Sequence, residues 1–334
     1  MSKKLILILL LIVIIGVPII FLTKDIKNYD FLSTEIYSMN TIIQIKISGK
    51  DKKEATEAII NEINSLNRKF DDFSPVSDVS RINNNAGKGP IEVDKTTIDI
   101  ISKAIDCYKM TNGAFDILIA PLSKLWGFKE NTHRVPSPNE INQILNFVNI
   151  EDVIIEGDKV MLKKTGDALD FGGIAKGYAL DKIKEILPDF NLKSAIINMG
   201  GNILIYGDSN KGSWLIGIKH PRGDGVIGKI AIKGSKFIST SGDYERFFIE
   251  NGKRYCHIID PSTGYPSDKI ISISVISDTG YFGDALSTAF FVLGKDKSLE
   301  LAKIMNVEII GFDKNLEPFF TEGIKKDFSL EEGR

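Results

Sequence analysis

The sequence has few of the residues from which metal-stapled or disulfide-stapled folds are built. Its two cysteines, Cys107 and Cys256, form neither a CxxC pair nor a finger spacing. None of its three histidines is paired at a metal-ligand spacing such as HxxxH. These absences argue against a zinc site. They leave open whether the two thiols pair with each other.

A strong net charge is also lacking. The chain has 42 Lys and Arg against 44 Asp and Glu, which gives a formal net charge of −2. No bulk basic character therefore indicates nucleic acid as a partner. With 334 residues, 43% of them hydrophobic and 26% charged, the composition is that of a globular protein with a sizeable core.

One long apolar run is present, at the amino terminus. It extends unbroken from Leu5 to Leu22, behind Lys3 and Lys4, and is just long enough to span the hydrocarbon of a membrane. A buried core helix is disfavoured because the run has no polar face. No A-x-A-like cleavage site follows it, so we favour an uncleaved signal anchor over a cleaved signal peptide. Three segments are predicted: a signal anchor over 1–22, a polar tether over 23–33, and one catalytic domain over 34–334, outside the cytoplasm at the cell membrane.

Helical and strand patterns alternate irregularly along the rest of the chain. Over Lys52–Phe70, apolar residues recur at spacings of three and four residues, which predicts a helix. Thr34–Ser48 and Val153–Leu162 each read as a strand, and Asp71–Pro90 reads as a loop. Short β segments separated by glycine fill residues 194–277. Further helices are predicted over 96–111, after Ser137-Pro138, and over 174–187, 281–293 and 296–305, with last strands near 308–312 and 317–321. Since regular βαβ alternation is missing, the class is α+β.

A first polar cluster, Asp170–Tyr178, lies at a predicted strand-to-helix junction. Its paired glycines allow a ligand to approach the backbone, and a helix amino end attracts phosphate. It has neither the Walker A nor the GxGxxG pattern. Two more clusters, 198–202 and 239–246, suit either tight turns or phosphate and ribose contacts.

Two further clusters carry acid–base and metal-binding side chains. His257 ends an apolar strand and can accept a proton at neutral pH, although a lone histidine is more often structural. Asp284 and Thr288 are four residues apart, so a helix places their oxygens on one face. Such oxygens suit Mg²⁺ rather than zinc. Alternatively, Asp284 only complements the helix dipole.

Taken in order, these segments resemble the ApbE family, the FAD:protein FMN transferases. The matching stretches are GAFD at 113–116, PL and WGF within 121–128, ALDFGGIAKGYALD at 168–181, NMGGN at 198–202, STSGDYER at 239–246, HIIDPSTGYP at 257–266 and DALSTAFFVLG at 284–294.

The resemblance implies a role for particular residues. Met39 would contact FAD, although Asn40-Thr41 follows it where the family has glycine and threonine. Phe73 stands at a position where a tyrosine commonly contacts FAD, and it keeps the ring without the hydroxyl. His257 matches the family's proposed catalytic base. Other FAD contacts would be Ala114, Phe115, Asp116, Asp170, Lys176 and Ile258, and the Mg²⁺ ligands would be Asp284, Thr288 and a backbone oxygen near Gly173.

The implied function is Mg²⁺-dependent transfer of FMN from FAD to a threonine or serine hydroxyl of an acceptor protein, with release of AMP. The acceptor would carry a flavinylation motif and would be an Rnf- or Nqr-type redox subunit or an extracellular flavoprotein. Two alternatives remain. An FAD pyrophosphatase would use the same pocket with water in place of the acceptor. A non-catalytic extracytoplasmic flavin-binding protein would need neither the metal pair nor His257.

Overall fold

The structure is a computed structural model that describes residues 30–331. The predicted signal anchor, 1–22, and residues 23–29 of the predicted tether, 23–33, lie outside these residues. Within residues 30–331, no helix has the length and apolar character needed to cross a membrane. The first strand begins at Phe31 rather than at the predicted Thr34.

An antiparallel sheet of eight strands lies at the centre of the described fold. Its strands are β1 (Phe31–Ser38), β2 (Thr41–Gly49), β6 (Leu192–Met199), β7 (Asn202–Tyr206), β10 (Lys236–Gly242), β13 (Ser272–Ser277), β14 (Glu308–Phe312) and β15 (Pro318–Phe320). They follow the order β1-β2-β6-β7-β10-β13-β14-β15 across the sheet. Because β2 and β6 are neighbours, the intervening chain forms one long excursion that carries many of the predicted site residues.

Three smaller sheets accompany the large one. Two have three strands, in the orders β3-β5-β4 and β16-β9-β8, and one is the hairpin β11-β12. Their bounds are β3 (Ile91–Glu92), β4 (Val153–Glu156), β5 (Lys159–Leu162), β8 (Trp214–Lys219), β9 (Val226–Ile232), β11 (Phe247–Glu250), β12 (Lys253–Cys256) and β16 (Phe328–Leu330).

The helices of residues 30–331 follow from apolar periodicity and from capping. The longest buries Ala55, Ile59, Ile63 and Leu66, a stripe with the spacing of one helix face. The helices are α1 (Lys52–Phe70), α2 (Asp78–Asn84), α3 (Lys95–Met110), α4 (Ala120–Leu125), α5 (Pro138–Leu145), α6 (Ala175–Ile186), α7 (Gly280–Leu293) and α8 (Lys295–Ile304).

The two faces of the large sheet bury different cores. Successive strand residues point to opposite faces, so Leu204 and Phe237 join the main core with α1, α3, α6 and α7. Their neighbours Ile205 and Ile238 instead pack against the β16-β9-β8 sheet. The fold is therefore three layers deep, and α+β is confirmed as its class. Cys107 and Cys256 are both free and buried.

Three predicted segments differ from the structure. The strand predicted over 34–48 is a hairpin, because Met39 and Asn40 both have positive φ, 49° and 58°, and form a two-residue turn. The strand predicted over 153–162 is likewise the hairpin β4-β5. The loop predicted over 71–90 contains α2, which begins where the Ser77 hydroxyl accepts a hydrogen bond from the Ser80 N–H at 3.0 Å. The other predicted helices are confirmed within one or two residues at each end.

Candidate active site

Two facing helices form the frame of the site. Gly177 of α6 and Gly280 of α7 touch so closely that a Cβ on either would lie 2.2 Å from the carbonyl oxygen of the other. At the same crossing, the Asp181 carboxylate accepts hydrogen bonds from the N–H groups of Gly280 and Tyr281, both at 2.7 Å. This carboxylate caps the amino end of α7. Burial raises the pKa of Asp181 to about 6 although both hydrogen bonds oppose the shift.

The three predicted metal ligands meet beside this crossing. The Asp284 side chain is buried, and its Oδ2 accepts the Gly177 N–H at 2.9 Å. Its Oδ1 receives no hydrogen bond from residues 30–331. Gly173 faces Thr288: a Cβ on this glycine would lie 3.0 Å from Thr288 Oγ1 and 3.2 Å from the Phe115 ring. A larger residue than glycine would therefore fill the space next to the hydroxyl.

These groups fit Mg²⁺. One carboxylate oxygen of Asp284 is free, Thr288 lies one turn further along α7, and the Gly173 backbone lies beside the Thr288 hydroxyl; these are the hard oxygens that this ion prefers. In the described part of the chain, no three His, Cys, Asp or Glu side chains are grouped to hold a metal. A cation bound here would have Asp284 as its one carboxylate ligand among these three groups.

Two side chains form hydrogen bonds with backbone groups of the turn that precedes α6. Asp170 Oδ1 accepts the Gly172 N–H at 2.7 Å, and Lys176 Nζ donates to the Gly172 carbonyl at 2.9 Å. The residue before α6, Ile174, offers no side-chain cap, but two first-turn N–H groups are already bonded: Ala175 donates to the Phe171 carbonyl at 2.8 Å and Gly177 to Asp284 Oδ2 at 2.9 Å. The positive charge that this helix end presents to an anionic group therefore comes mainly from Lys176.

A lysine that the sequence did not single out joins two loops at this turn. Lys129 Nζ forms an ion pair with Asp72 and lies 3.8 Å from Asp170 Oδ2. Burial lowers the pKa of Lys129, but Asp170 and Asp72 together outweigh it and hold the pKa above its usual value. Phe73, next to Asp72, is 62% exposed. The ion pair therefore links the loop that carries the exposed Phe73 ring to the 170–176 turn. Long-range pairs of this kind leave no signal in residue spacing.

The predicted FAD contacts at 114–116 form a buried wall. Ala114, Phe115 and Asp116 are each less than 8% exposed. Asp116 Oδ1 accepts the Leu118 N–H at 2.7 Å, and burial raises the pKa of Asp116 to about 6. Since the Phe115 ring lies against Gly173, this wall borders one of the predicted metal ligands.

Met39 occupies a turn at one end of the large sheet. Its N–H donates to Asn67 Oδ1 at 3.2 Å, which fixes the turn on α1. The next hairpin along the sheet, β6-β7, turns at Gly200, where a Cβ would lie 2.3 Å from Thr41 Oγ1. Asn40 adopts the positive φ that glycine would otherwise supply, and asparagine tolerates this conformation. The departure at Asn40 therefore leaves the hairpin intact.

His257 has a defined tautomer. Its backbone N–H donates to the Arg246 carbonyl at 3.0 Å, and its Nδ1 lies 3.2 Å from the same oxygen. A carbonyl oxygen only accepts hydrogen bonds, so Nδ1 carries the proton and Nε2 keeps its lone pair. Burial first, and then the charges of Arg246 and Lys176, lower the pKa of His257 although Asp170 opposes them. The imidazole is therefore neutral at physiological pH. Ile258, the next residue, is buried.

The segment that carries His257 rests on the segment at 121–128. Trp126 Nε1 donates to the Gly264 carbonyl at 2.8 Å, and the rings of Trp126 and Tyr265 are 5.8 Å apart. A Cβ on Gly264, whose φ is +75°, would lie 2.5 Å from Ile141. The stretch at 121–128 and the stretch at 257–266 are far apart in sequence and thus pack together as one unit.

The structure brings most of the predicted residues together around the 170–176 turn. Gly173 lies against both Thr288 and Phe115 there, and Asp284 is hydrogen-bonded to Gly177 in the first turn of α6. His257 lies close enough to Lys176 and Asp170 for their charges to shift its pKa. Met39 lies on the β1-β2 turn, where its N–H is hydrogen-bonded to Asn67 of α1.

Known proteins share the sequence pattern and the fold of this chain. The sequence profile described as the ApbE family matches residues 39–310. The chain belongs to the ApbE family. It is similar to an FAD:protein FMN transferase of Klebsiella pneumoniae, with 33% identity over 87% of this chain and 92% of the relative. A Haemophilus influenzae protein of the same name is also 33% identical, over 79% of each chain.

Solved structures of this family have the same fold. The ApbE protein of Thermotoga maritima superposes with a TM-score of 0.84 at 35% identity, over 91% of this chain and all of the other. The flavin transferase ApbE of Vibrio cholerae gives 0.80 at 26% identity, over 90% of this chain and 99% of the other. The predicted family and enzyme class are therefore confirmed.

Proposed function

We propose that this protein transfers the FMN half of FAD to a threonine or serine hydroxyl of an acceptor protein and releases AMP, with Mg²⁺ as its metal. One observation carries the proposal. The neutral His257, with Nε2 free to accept a proton, lies beside the turn where Asp284, Thr288 and Gly173 meet. The names of the relatives, FAD:protein FMN transferase, support the same reaction.

The protein's residues bind and orient FAD. Lys176, in the first turn of α6, receives the pyrophosphate, since its ammonium and the helix dipole both provide positive potential for phosphate oxygens. The buried wall at 114–116 and the exposed ring of Phe73 provide apolar surface for the flavin and adenine rings. Met39, Asp170 and Ile258 complete the proposed contacts. The Asp72–Lys129 ion pair positions Phe73.

The reaction then needs one proton transfer and one displacement at phosphorus. His257 Nε2 accepts the proton of the acceptor hydroxyl, and the hydroxyl oxygen attacks the phosphorus on the riboflavin side of FAD. The bond between that phosphorus and the bridging oxygen breaks, AMP leaves with the oxygen, and FMN remains on the acceptor as a phosphodiester. Asp284, Thr288 and a backbone oxygen near Gly173 would hold Mg²⁺, which would neutralise charge on the phosphate oxygens.

Hydrolysis of FAD to FMN and AMP is the second candidate. His257 is only partly buried, so water can reach the same Nε2 that the acceptor hydroxyl would use. The non-catalytic carrier is set aside, because the family comparison shows the enzyme class.

We further propose that residues 1–22 anchor the protein in the cell membrane and that the catalytic domain lies outside the cytoplasm. The apolar run supports the anchor. On this proposal the acceptor is also membrane-bound or extracellular, as an Rnf- or Nqr-type subunit or an extracellular flavoprotein would be. Protease treatment of intact cells should degrade the catalytic domain. Its full protection until the membrane is opened would contradict this placement.

The experiment for the activity uses the full-length protein in detergent with FAD, Mg²⁺ and an acceptor domain that carries a flavinylation motif. We expect flavin fluorescence on the denatured acceptor band and none when the acceptor threonine is replaced by alanine. If FMN and AMP accumulate while the acceptor stays dark, the enzyme is a hydrolase under these conditions.

A further inference from the structure

A cavity separate from the proposed FAD site lies beside β12. It has a volume of about 220 Å³ and is lined by β12, by the 267–271 segment and by side chains from neighbouring loops. Arg254 and Cys256 of β12 line it, whereas Tyr255 between them packs against Trp126 at a ring distance of 5.4 Å. Strand residues alternate between faces. The cavity and the Trp126 ring, which packs against Tyr255, therefore lie on opposite faces of this strand.

The charges around this cavity do not balance. Four cationic side chains line it, with only two carboxylates. Arg222 and Asp243 neutralise each other in a paired contact with hydrogen bonds of 2.7 and 2.6 Å. The second carboxylate, Asp268, is shared by two lysines: it lies 3.9 Å from Lys253 and 3.5 Å from Lys314. No carboxylate of residues 30–331 pairs with the remaining cation, the Arg254 guanidinium.

Arg254 also has a buried donor without an acceptor. Its Nη1 is inaccessible to solvent and has no hydrogen-bond partner among the described residues. The guanidinium lies 3.7 Å from the centre of the Phe247 ring, which holds its plane in place. Leaving such a charged donor unpaired is costly, and most buried donors in proteins have a partner. Because Nη1 itself is closed to solvent, an acceptor that enters the cavity would meet the other N–H groups of this partly buried side chain.

We propose that this cavity binds a small oxyanion, a phosphate or a carboxylate, with Arg254 as the main donor and Lys253 and Lys314 as supporting charges. The planar guanidinium suits two oxygens of one anion. The excess of two positive charges disfavours a metal cation at the same place. The volume, compared with the roughly 30 Å³ that one water occupies in the liquid, leaves room for a phosphate with several waters. This site is independent of the flavin reaction.

The test measures thermal unfolding of the full-length protein in phosphate and in chloride at equal ionic strength. EDTA is present and FAD is absent, so that metal and flavin binding do not contribute. A ligand at 100 times its Kd should raise the Tm of wild type by about 5 °C for a protein of this size. Acetate in place of phosphate reports whether a carboxylate binds as well, and we expect a smaller rise because it has a single charge.

Three variants identify where the phosphate binds. Arg254→Met should lose the phosphate-dependent rise, and Lys314→Met should weaken phosphate binding about tenfold. Because the Lys314 side chain is 60% exposed, this second variant should fold even if the first does not. Lys176→Met removes the lysine of the proposed FAD pyrophosphate site and should keep the rise. The proposal is overturned if phosphate and chloride give the same Tm for wild type, or if the rise disappears with Lys176 and survives the loss of Arg254 and Lys314.

Discussion

Replacing Gly177 by alanine should misplace the proposed metal site by moving the two helices that carry it. The added Cβ would lie 2.2 Å from the Gly280 oxygen, 2.6 Å from the Gly280 carbonyl carbon and 2.7 Å from Asp284 Cβ. The first two of these atoms are backbone, so no side-chain rotation relieves the contact. Withdrawal by about 1 Å is needed to reach the ordinary contact distance of 3.4 Å.

The size of this effect follows from two opposing contributions. Overpacking a rigid contact costs about 1–3 kcal/mol. Alanine in place of a helical glycine returns up to about 1 kcal/mol. Because the contact is with backbone and cannot relax by side-chain rotation, the upper end of the first range applies, and the net destabilisation is about 2 kcal/mol, which lowers the Tm by about 4 °C. Because the displaced helix carries Asp284 and Thr288, a shift of about 1 Å at the reacting groups should reduce FMN transfer about 100-fold.

Circular dichroism melting and a transfer assay with fluorescent flavin on the acceptor measure the two effects. Gly223→Ala is the matched control. Its Cβ would meet only the His220 ring, at 3.3 Å, and that ring belongs to an exposed loop and can move. A Gly177→Ala variant that keeps wild-type Tm and wild-type transfer would refute the reasoning about the helix crossing.

The remaining predictions concern three side chains of the site. Asp284→Asn keeps an oxygen for the Gly177 N–H but removes the charge, so transfer should fall at least 100-fold. Mg²⁺ should no longer raise the Tm of this variant, and an undiminished rise would contradict the metal assignment. His257→Ala should abolish transfer while the Kd for FAD, measured by flavin fluorescence, changes little. Since the pKa of His257 is lowered on folding, the unfolded state binds the extra proton, so this group's contribution to stability falls as the pH drops below the usual value of 6.5. For the same reason the transfer rate should stay flat from pH 8 down to about pH 6; a decline centred near 6.5 would show an unshifted imidazole. Lys129→Met should raise KM for FAD roughly tenfold with little change in kcat, because it frees the loop that carries Phe73; an unchanged KM would remove Lys129 from substrate positioning.

Local patterns predicted the parts of this protein that depend on local physics. The apolar period over 52–70 matches α1, and the spacing of Asp284 and Thr288 placed both on one helix face. The hairpin at Met39 was missed because its turn contains no glycine, although Asn40 tolerates the required conformation. Helix α2 was missed because its residues are mostly polar and it depends on the Ser77 cap and on burial of Val79 and Ile82.

Contacts between distant segments were beyond the reach of residue spacing. Lys129 acts on Asp72 and Asp170, which lie on two other loops, and no periodicity links these positions. The tautomer of His257 likewise depends on the carbonyl of Arg246, which lies beside it across the open end of the β11-β12 hairpin. The motifs supplied the candidate residues of the proposed site, whereas the contacts among them could be described only from the folded structure.

The most direct test of the proposed function is the mass of the acceptor after reaction with the full-length protein, FAD and Mg²⁺, measured together with the AMP released. The account predicts that the acceptor gains one FMN minus one water, that one AMP is released per modified acceptor, and that EDTA prevents both. Release of AMP and FMN in equal amounts with an acceptor of unchanged mass would contradict it and would show that water takes the place of the acceptor hydroxyl.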